Sequence, residues 1–366
     1  MLIDGIYQVM KRTAVVLLAL VSTVVNPALA REKSDVIWLT NGDRITGEIR
    51  QLEHGILRLG TDSIGELRVE WDDISRIESD FEFQFERTDG TRVTGTVGTT
   101  PEQKTIVLKS QEQTVAFAHD KVVRIAQIED SFWGRLQGSM TFGYSYTKAS
   151  NVAQGNLGFR ATHRTEQRSF SLDGSTIITN ERDKGDETSD QENGGTQRSS
   201  LLLSTKRFRP NRWFNTYLMG FESNDELGLD LRSSIGAGFG RYLIQTNTSE
   251  FSLMGGAVGT AESLQKDPVL ATTPSSQQSL EGMLGLDYSR YVYDHPAIDL
   301  SARLYAFPSI TESGRTRAQL DLSLRWEIIN DLFWDMSYYN TYDSDPPSNS
   351  ESTSDYGVVT SIGYSF

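Results

Sequence analysis

The chain has 366 residues, a formal net charge of −14, no cysteine and only 37% hydrophobic residues. That composition excludes a bundle of apolar membrane helices. It also argues against a nucleic-acid partner, because phosphate binding needs clustered Lys and Arg and no stretch here is strongly basic. Without cysteine an exported chain has no disulfide to lean on and must be held by hydrogen bonds and packing.

The first element is "TAVVLLALVSTVV", too short to span a bilayer as a helix. Lys11 and Arg12 precede it, and Ala28-Leu29-Ala30 follows. A positive flank, an apolar middle and a small-x-small end predict a secretory signal peptide over 1–30, with cleavage after Ala30. The residues before Met10 make a poor n-region, so Met10 is a candidate start.

Residues 31–130 contain one unit written twice, 35–80 and 81–128. "NGDRITGEI" (41–49) answers to "DGTRVTGTV" (89–97), and "LRVEWDDISRIES" (67–79) to "VAFAHDKVVRIAQ" (115–127). Such self-similarity marks a repeated structural unit. Each copy reads as five short strands, opened by an Asn-Gly or Asp-Gly hairpin signal and bent at Gly47 or Gly95. The expectation is a tandem of small SH3-like or Sm-like barrels. Trp38, Trp71 and Phe117 are expected to fill their cores rather than to form a binding platform.

From residue 131 to 366 the chain changes character. Twelve tracts of alternating residues can be counted, at about 134–147, 151–164, 167–180, 196–208, 212–223, 227–243, 249–262, 277–292, 296–309, 314–329, 331–343 and 354–366. In "RTRAQLDLSLRWEI" one face is Thr316, Ala318, Leu320, Leu322, Leu324, Trp326 and Ile328, and the other is Arg315, Arg317, Gln319, Asp321, Ser323, Arg325 and Glu327. Successive side chains of a strand point to opposite sides, so one side is apolar and the other densely charged. The tracts are long for a soluble sheet. Aromatic residues gather toward the ends of the apolar faces, and short breaks ("RTEQ", "RPNR", "YDHP") alternate with mostly longer polar ones. These habits predict an all-β chain: a twelve-stranded antiparallel transmembrane barrel preceded by the small repeat domain. Both ends of such a barrel face the periplasm, and the repeat domain is expected there. The last strand, with Tyr364 and Phe366 on its apolar face, is expected to pair with the first and to carry the assembly signal.

The stretches "FWGRLQGSMTFGYSYTKASN", "RFRPNRWFNTYLMGFESNDELGLDLRSSIGAGFGRYLI" and "IGYSF" resemble the salt-induced outer-membrane protein family over about 132–366. The resemblance implies an outer-membrane location in a Gram-negative envelope, and a terminal strand read by the barrel-assembly machinery. It implies no catalytic residue, because the family has no established activity.

Alternation places both charge signs in the lumen. The cations are Arg135, Arg160, Arg198, Lys206, Arg232, Arg303, Arg315, Arg317 and Arg325. The anions are Asp173, Asp230, Glu281, Asp287, Asp299, Asp321 and Glu327. Two readings stay open. The charges line a narrow selective channel, or they form a lattice of ion pairs that plugs it. An enzyme acting on membrane lipid is the alternative. It would need a histidine beside a nucleophile and a third orienting group, yet His54, His119, His163 and His295 are scattered and share no metal-ligand spacing. A third reading is adhesion, or divalent-cation and lipopolysaccharide contact, through the acidic loop holding Glu181, Asp183, Asp186, Glu187, Asp190 and Glu192. That loop lacks the order of a calcium-binding loop, and a solvated surface is its simpler reading. The expected protein is therefore non-enzymatic, without cofactor or metal. Its expected partners are outer-membrane lipid, lipopolysaccharide, the assembly machinery and whatever the periplasmic repeats touch.

Overall fold

A computed structural model describes residues 33–98, 102–110, 114–128, 135–147, 152–165, 167–181, 195–264, 276–292, 297–329, 331–346 and 352–365. The expected signal peptide, His295, Phe366 and the acidic loop beyond Glu181 lie outside them.

The repeat folds as two copies of one meander. Strands β1 (Asp35–Leu39), β2 (Arg44–Glu53), β3 (Ile56–Gly60) and β4 (Glu66–Glu70) lead through a 3-10 turn at Trp71–Asp73 into β5 (Ile74–Arg87). The second half of β5 then opens the second copy. Strands β6 (Arg92–Gly98), β7 (Thr105–Lys109) and β8 (Thr114–Ala118), a 3-10 turn at His119–Lys121 and β9 (Val122–Gln127) complete it. The turns form as their sequences require, with Gly42 at φ +94° and Gly90 at φ +79°. Gly47 and Gly95 occupy equivalent bends. A side chain at either would strike a carbonyl, Gly60 O at 2.7 Å or Lys109 O at 2.6 Å.

The copies do not close separately, as a tandem of barrels would. Strands β2, β1, β5 and β9 pair in a four-membered ring, with β3–β4 flanking one side and β6–β7–β8 the other. One core therefore serves both copies: Ile37, Ile49, Leu57 and Trp71 pack in the same cluster as Phe85, Ile106, Phe117 and Val122. A unit this short gains more buried apolar area by sharing a core than by closing alone. Trp71 stacks on His119, its equivalent in the other copy, with ring centres 3.9 Å apart. Its Nε1 donates to the His119 carbonyl at 3.1 Å. Trp38 departs from the core expectation. It is half-buried, with the Arg76 guanidinium 3.8 Å over its ring, because it lies on the opposite face of β1 from Ile37 and Leu39, which pack in the core.

The described residues from 135 onward form a closed antiparallel barrel of twelve strands. They are β10 (Leu136–Thr147), β11 (Val152–Arg164), β12 (Arg168–Glu181), β13 (Gly195–Phe208), β14 (Trp213–Asn224), β15 (Leu229–Gln245), β16 (Ser249–Leu264), β17 (Ser276–Val292), β18 (Ile298–Pro308), β19 (Thr316–Ile329), β20 (Leu332–Asp343) and β21 (Ser354–Ser365). Closure comes from β10 on β21, where Met140 lies opposite Tyr364 and Phe142 opposite Ile362. That pairing leaves no free sheet edge.

Directly opposed residues of an antiparallel ladder share a face, so the register fixes what looks in and what looks out. Ala302, Leu322 and Tyr338 form one outward row. The neighbouring row, Arg303, Asp321 and Tyr339, looks inward. Phe142 is 64% exposed and Val358 63%, whereas Glu281 is 0% and Arg317 8% exposed. The apolar stripe is on the outside and the ionic stripe is enclosed.

Candidate functional site

The enclosed stripe sorts into a closure at the end carrying the long loops, a chamber, and a closure at the end carrying the short turns. At the loop end, Arg315 precedes β19 and folds inward. Its guanidinium reaches Glu262 at 3.0 Å, Asp343 at 2.7 Å and Glu312 at 3.0 Å. Arg232 shares this cluster, 2.7 Å from Glu262 and 3.0 Å from Glu222. Arg317 forks onto Glu281 through both carboxylate oxygens. Such charges are tolerated in an interior only when their partners satisfy them. Nearby, Arg198 meets Asp355 at 3.2 Å, and Asn224 donates to the same carboxylate at 2.8 Å.

Below this lattice lies a cavity of about 440 Å³, lined by Arg160, Asp173, Lys206, Asp287, Arg303 and Tyr305 among others. Arg160 pairs with Asp173 across β11 and β12. Lys206 is 3.6 Å from Asp287, which also accepts a 2.8 Å hydrogen bond from the Tyr305 hydroxyl. Arg303 lies opposite Asp321 and Asp287 in the ladders. Arg325 lies over the Phe333 ring at 3.8 Å, opposite Asp299.

The small domain covers the turn end. Glu86 of β5 accepts from Arg92 at 2.8 Å within its own domain, and from Arg164 at 3.0 Å and Gln245 at 3.1 Å in the barrel. Glu53 is held by Arg124 and by Gln137 of the barrel. His54 stacks on Tyr291 at 3.8 Å. Arg68 pairs with Glu327. Gly90 abuts the turn at Arg212, so closely that an added side chain would meet the Arg212 backbone nitrogen at 2.8 Å. Burial alone would raise the Glu86 carboxyl, but Arg164, Arg124 and Arg92 outweigh it and hold the group at about 2. Burial likewise works against Glu53, and Arg124, His54 and Gln137 overturn it to hold that carboxyl well below the usual range.

Most of the expected lumen charges face inward. Two do not belong there. Asp230 is exposed, in the bulge between Leu229 and Leu231 where β15 departs from simple alternation. Arg135 precedes β10, and its guanidinium donates to the Gln127 and Ile128 carbonyls, tying the linker to the barrel's start. Glu327 faces inward but serves the seam. Tyr364 stands outward, 55% exposed. Glu222, Glu262 and Asp343 join the enclosed set without being among the expected charges, although strand parity carried to the strand ends reaches all three, Asp343 lying opposite the inward Arg317. Glu53 and Glu86 carried no such signal, because their barrel partners are remote in sequence.

The histidines are dispersed. His163 stands outward, opposite Leu136 and Phe170 in the ladders. His119 is buried in the small core. Among the described residues no group of His, Asp and Glu has the arrangement to hold a metal ion.

A family model described as "Protein of unknown function, DUF481" matches residues 140–366. No curated protein matches the chain in sequence. Solved structures it is similar to include the translocator domain of the autotransporter NalP from Neisseria meningitidis, at 13% identity and TM-score 0.34, covering 63% of this chain and 87% of that one. The beta domain of the Bordetella autotransporter BrkA matches at 10% identity and TM-score 0.32, covering 63% and 98%. A bacterial polysaccharide outer membrane secretin matches at 8% identity and TM-score 0.32, covering 63% and 97%. Likenesses this distant do not say what the chain does.

Proposed function

Because the chain belongs to the DUF481 family, whose model spans most of its barrel, we propose that it is a non-enzymatic outer-membrane barrel with a periplasmic small domain and a lumen shut at rest. The membrane placement is supported by the outward face. Phe142, Ile235, Tyr356, Val358 and Ile362 are each more than half exposed, and they belong to an apolar belt around the barrel. A monomer in water rarely shows so continuous an apolar surface, whereas hydrocarbon favours it. Trp213, Trp326, Tyr342 and Tyr364, all exposed near strand ends, suit an interfacial girdle.

The observation that carries the closed state is the double stopper: Arg315 with Glu262 and Asp343 at one end, and Glu86 with Arg164 and Gln245 at the other. A stoppered barrel gives its membrane a rigid element without giving it a hole. Conductance of the purified full chain in a planar bilayer tests this. Silence is expected, and a steady open level in the unmodified protein would refute it.

A second reading, a gated passage, is favoured by the 440 Å³ chamber and by the noncovalent nature of the turn-end stopper. It requires both closures to yield. Assembly by the barrel machinery, contact with lipopolysaccharide and production under salt stress belong to the same proposal. The last is checked by transcript level at raised osmolarity.

A further inference from the structure

The turn-end rim carries a second, outward-facing feature that the closed lumen does not use. Arg168 and Arg207 are directly opposite one another on β12 and β13, and both are exposed. Like charges in that position repel. The next outward residue across the ladder from Arg207 is Asn215, whose side-chain oxygen accepts from Arg209 at 3.3 Å. Arg212, in the tight turn before β14, donates to the Leu243 carbonyl at 2.9 Å. Arg241 lies opposite Trp213, 5.7 Å from its ring centre, with its buried Nε lacking an acceptor. Arg168, Arg207 and Arg241 therefore share one outward quadrant, with Arg209 and Arg212 in the turn beside it. Among the described residues no ion pair involves any of them, in a chain whose net charge is −14. Inside the barrel, by contrast, Arg160, Arg198, Arg232, Arg315 and Arg317 are each matched to a carboxylate.

Against this quadrant opens an apolar groove of about 660 Å³, walled by Trp213, Phe239, Leu253, Leu284 and Leu304, with Arg241 at its rim. We infer that this rim and groove bind one phospholipid with an anionic headgroup from the leaflet at the turn end, its phosphate between the arginines and an acyl chain along the groove. Guanidinium forks match phosphate oxygens in pairs. A phosphate between Arg168 and Arg207 would also relieve their repulsion. The inference rests on the membrane placement proposed above. The simpler alternative, arginines that merely snorkel to water, needs no particular headgroup.

The test folds the full chain into phosphatidylcholine vesicles containing a minor fraction of phosphatidylglycerol, extracts it in mild detergent and quantifies the lipid that stays bound. Phosphatidylglycerol is expected to be enriched over its bulk share. The enrichment should fall by about fivefold for each arginine removed in the series R168Q, R207Q and R241Q. Insertion with bound lipid at the bulk ratio would overturn the inference and leave the membrane placement intact. A chain that enters neither lipid would overturn the placement itself. Should the variants fail to fold, the unmodified chain decides: enrichment must fall as salt is raised toward about 1 M, and enrichment indifferent to salt refutes a charge-based site.

Discussion

Glu86 of the small domain and Arg164 of the barrel meet at 3.0 Å, and this contact joins two units that the sequence reads as separate. Glu86 is 4% exposed and also faces Arg92, Arg124 and Gln245. Removing its charge leaves three guanidinium groups without their shared carboxylate. For Glu86→Gln we expect a loss of about 3–5 kcal/mol at the seam, the usual consequence of breaking a buried pair from one side. Limited proteolysis should then release the small domain while the barrel stays intact. A variant as resistant as the parent would show that the apolar contacts alone hold the domain.

Acid should loosen the same seam. A carboxyl whose folded pKa is depressed contributes stability that is complete above its unfolded value of 4.5 and drains away as pH falls toward the folded value, about 2 for Glu86. Burial, aided by Lys104, lowers His119 from 6.5 to about 3, so the unfolded chain takes up a proton that the folded one refuses. That stability is complete above 6.5 and is lost between 6.5 and about 3. Urea midpoints of the small domain, followed in the full chain, should decline below pH 6.5 and more steeply below 4.5. In His119→Phe the upper part of the decline should vanish. A midpoint flat from pH 7 to 3 would contradict both assignments.

The outward face gives a sharper test of membrane placement than exposure alone. Val358 is 63% exposed, and in water Val358→Arg would change stability little. In hydrocarbon, near the middle of β21, the same change should cost roughly 2–4 kcal/mol. Urea unfolding in lipid vesicles measures it, and a negligible effect there would mean that this face meets solvent.

Glu281 and Arg317 test whether the loop-end lattice is structural. Glu281→Gln alone should destabilise by about 3–5 kcal/mol, because it strands a buried guanidinium. Replacing both partners by methionine should come much closer to neutral. If the double variant is instead worse than either single one, the pair is needed for something other than burial. Bilayer recordings of both then show whether the lattice also holds the lumen shut.

Much of the barrel was legible beforehand because alternation with a period of two is a local signal, repeated in every strand. It identified twelve strands with small errors at their ends, and it sent Leu322 outward and Arg317 inward. It failed at Asp230, where a bulge inserts an extra residue and parity slips.

The sequence by itself determined the repeat, the strand count and the two faces, since each follows from spacing along the chain. Only the tertiary structure decided that the copies share one core, that β9 pairs with β2, that Arg315 turns in to Glu262, and that Glu86 meets Arg164. Those depend on which distant segments come together, and a carboxylate carries no mark of the guanidinium that will find it.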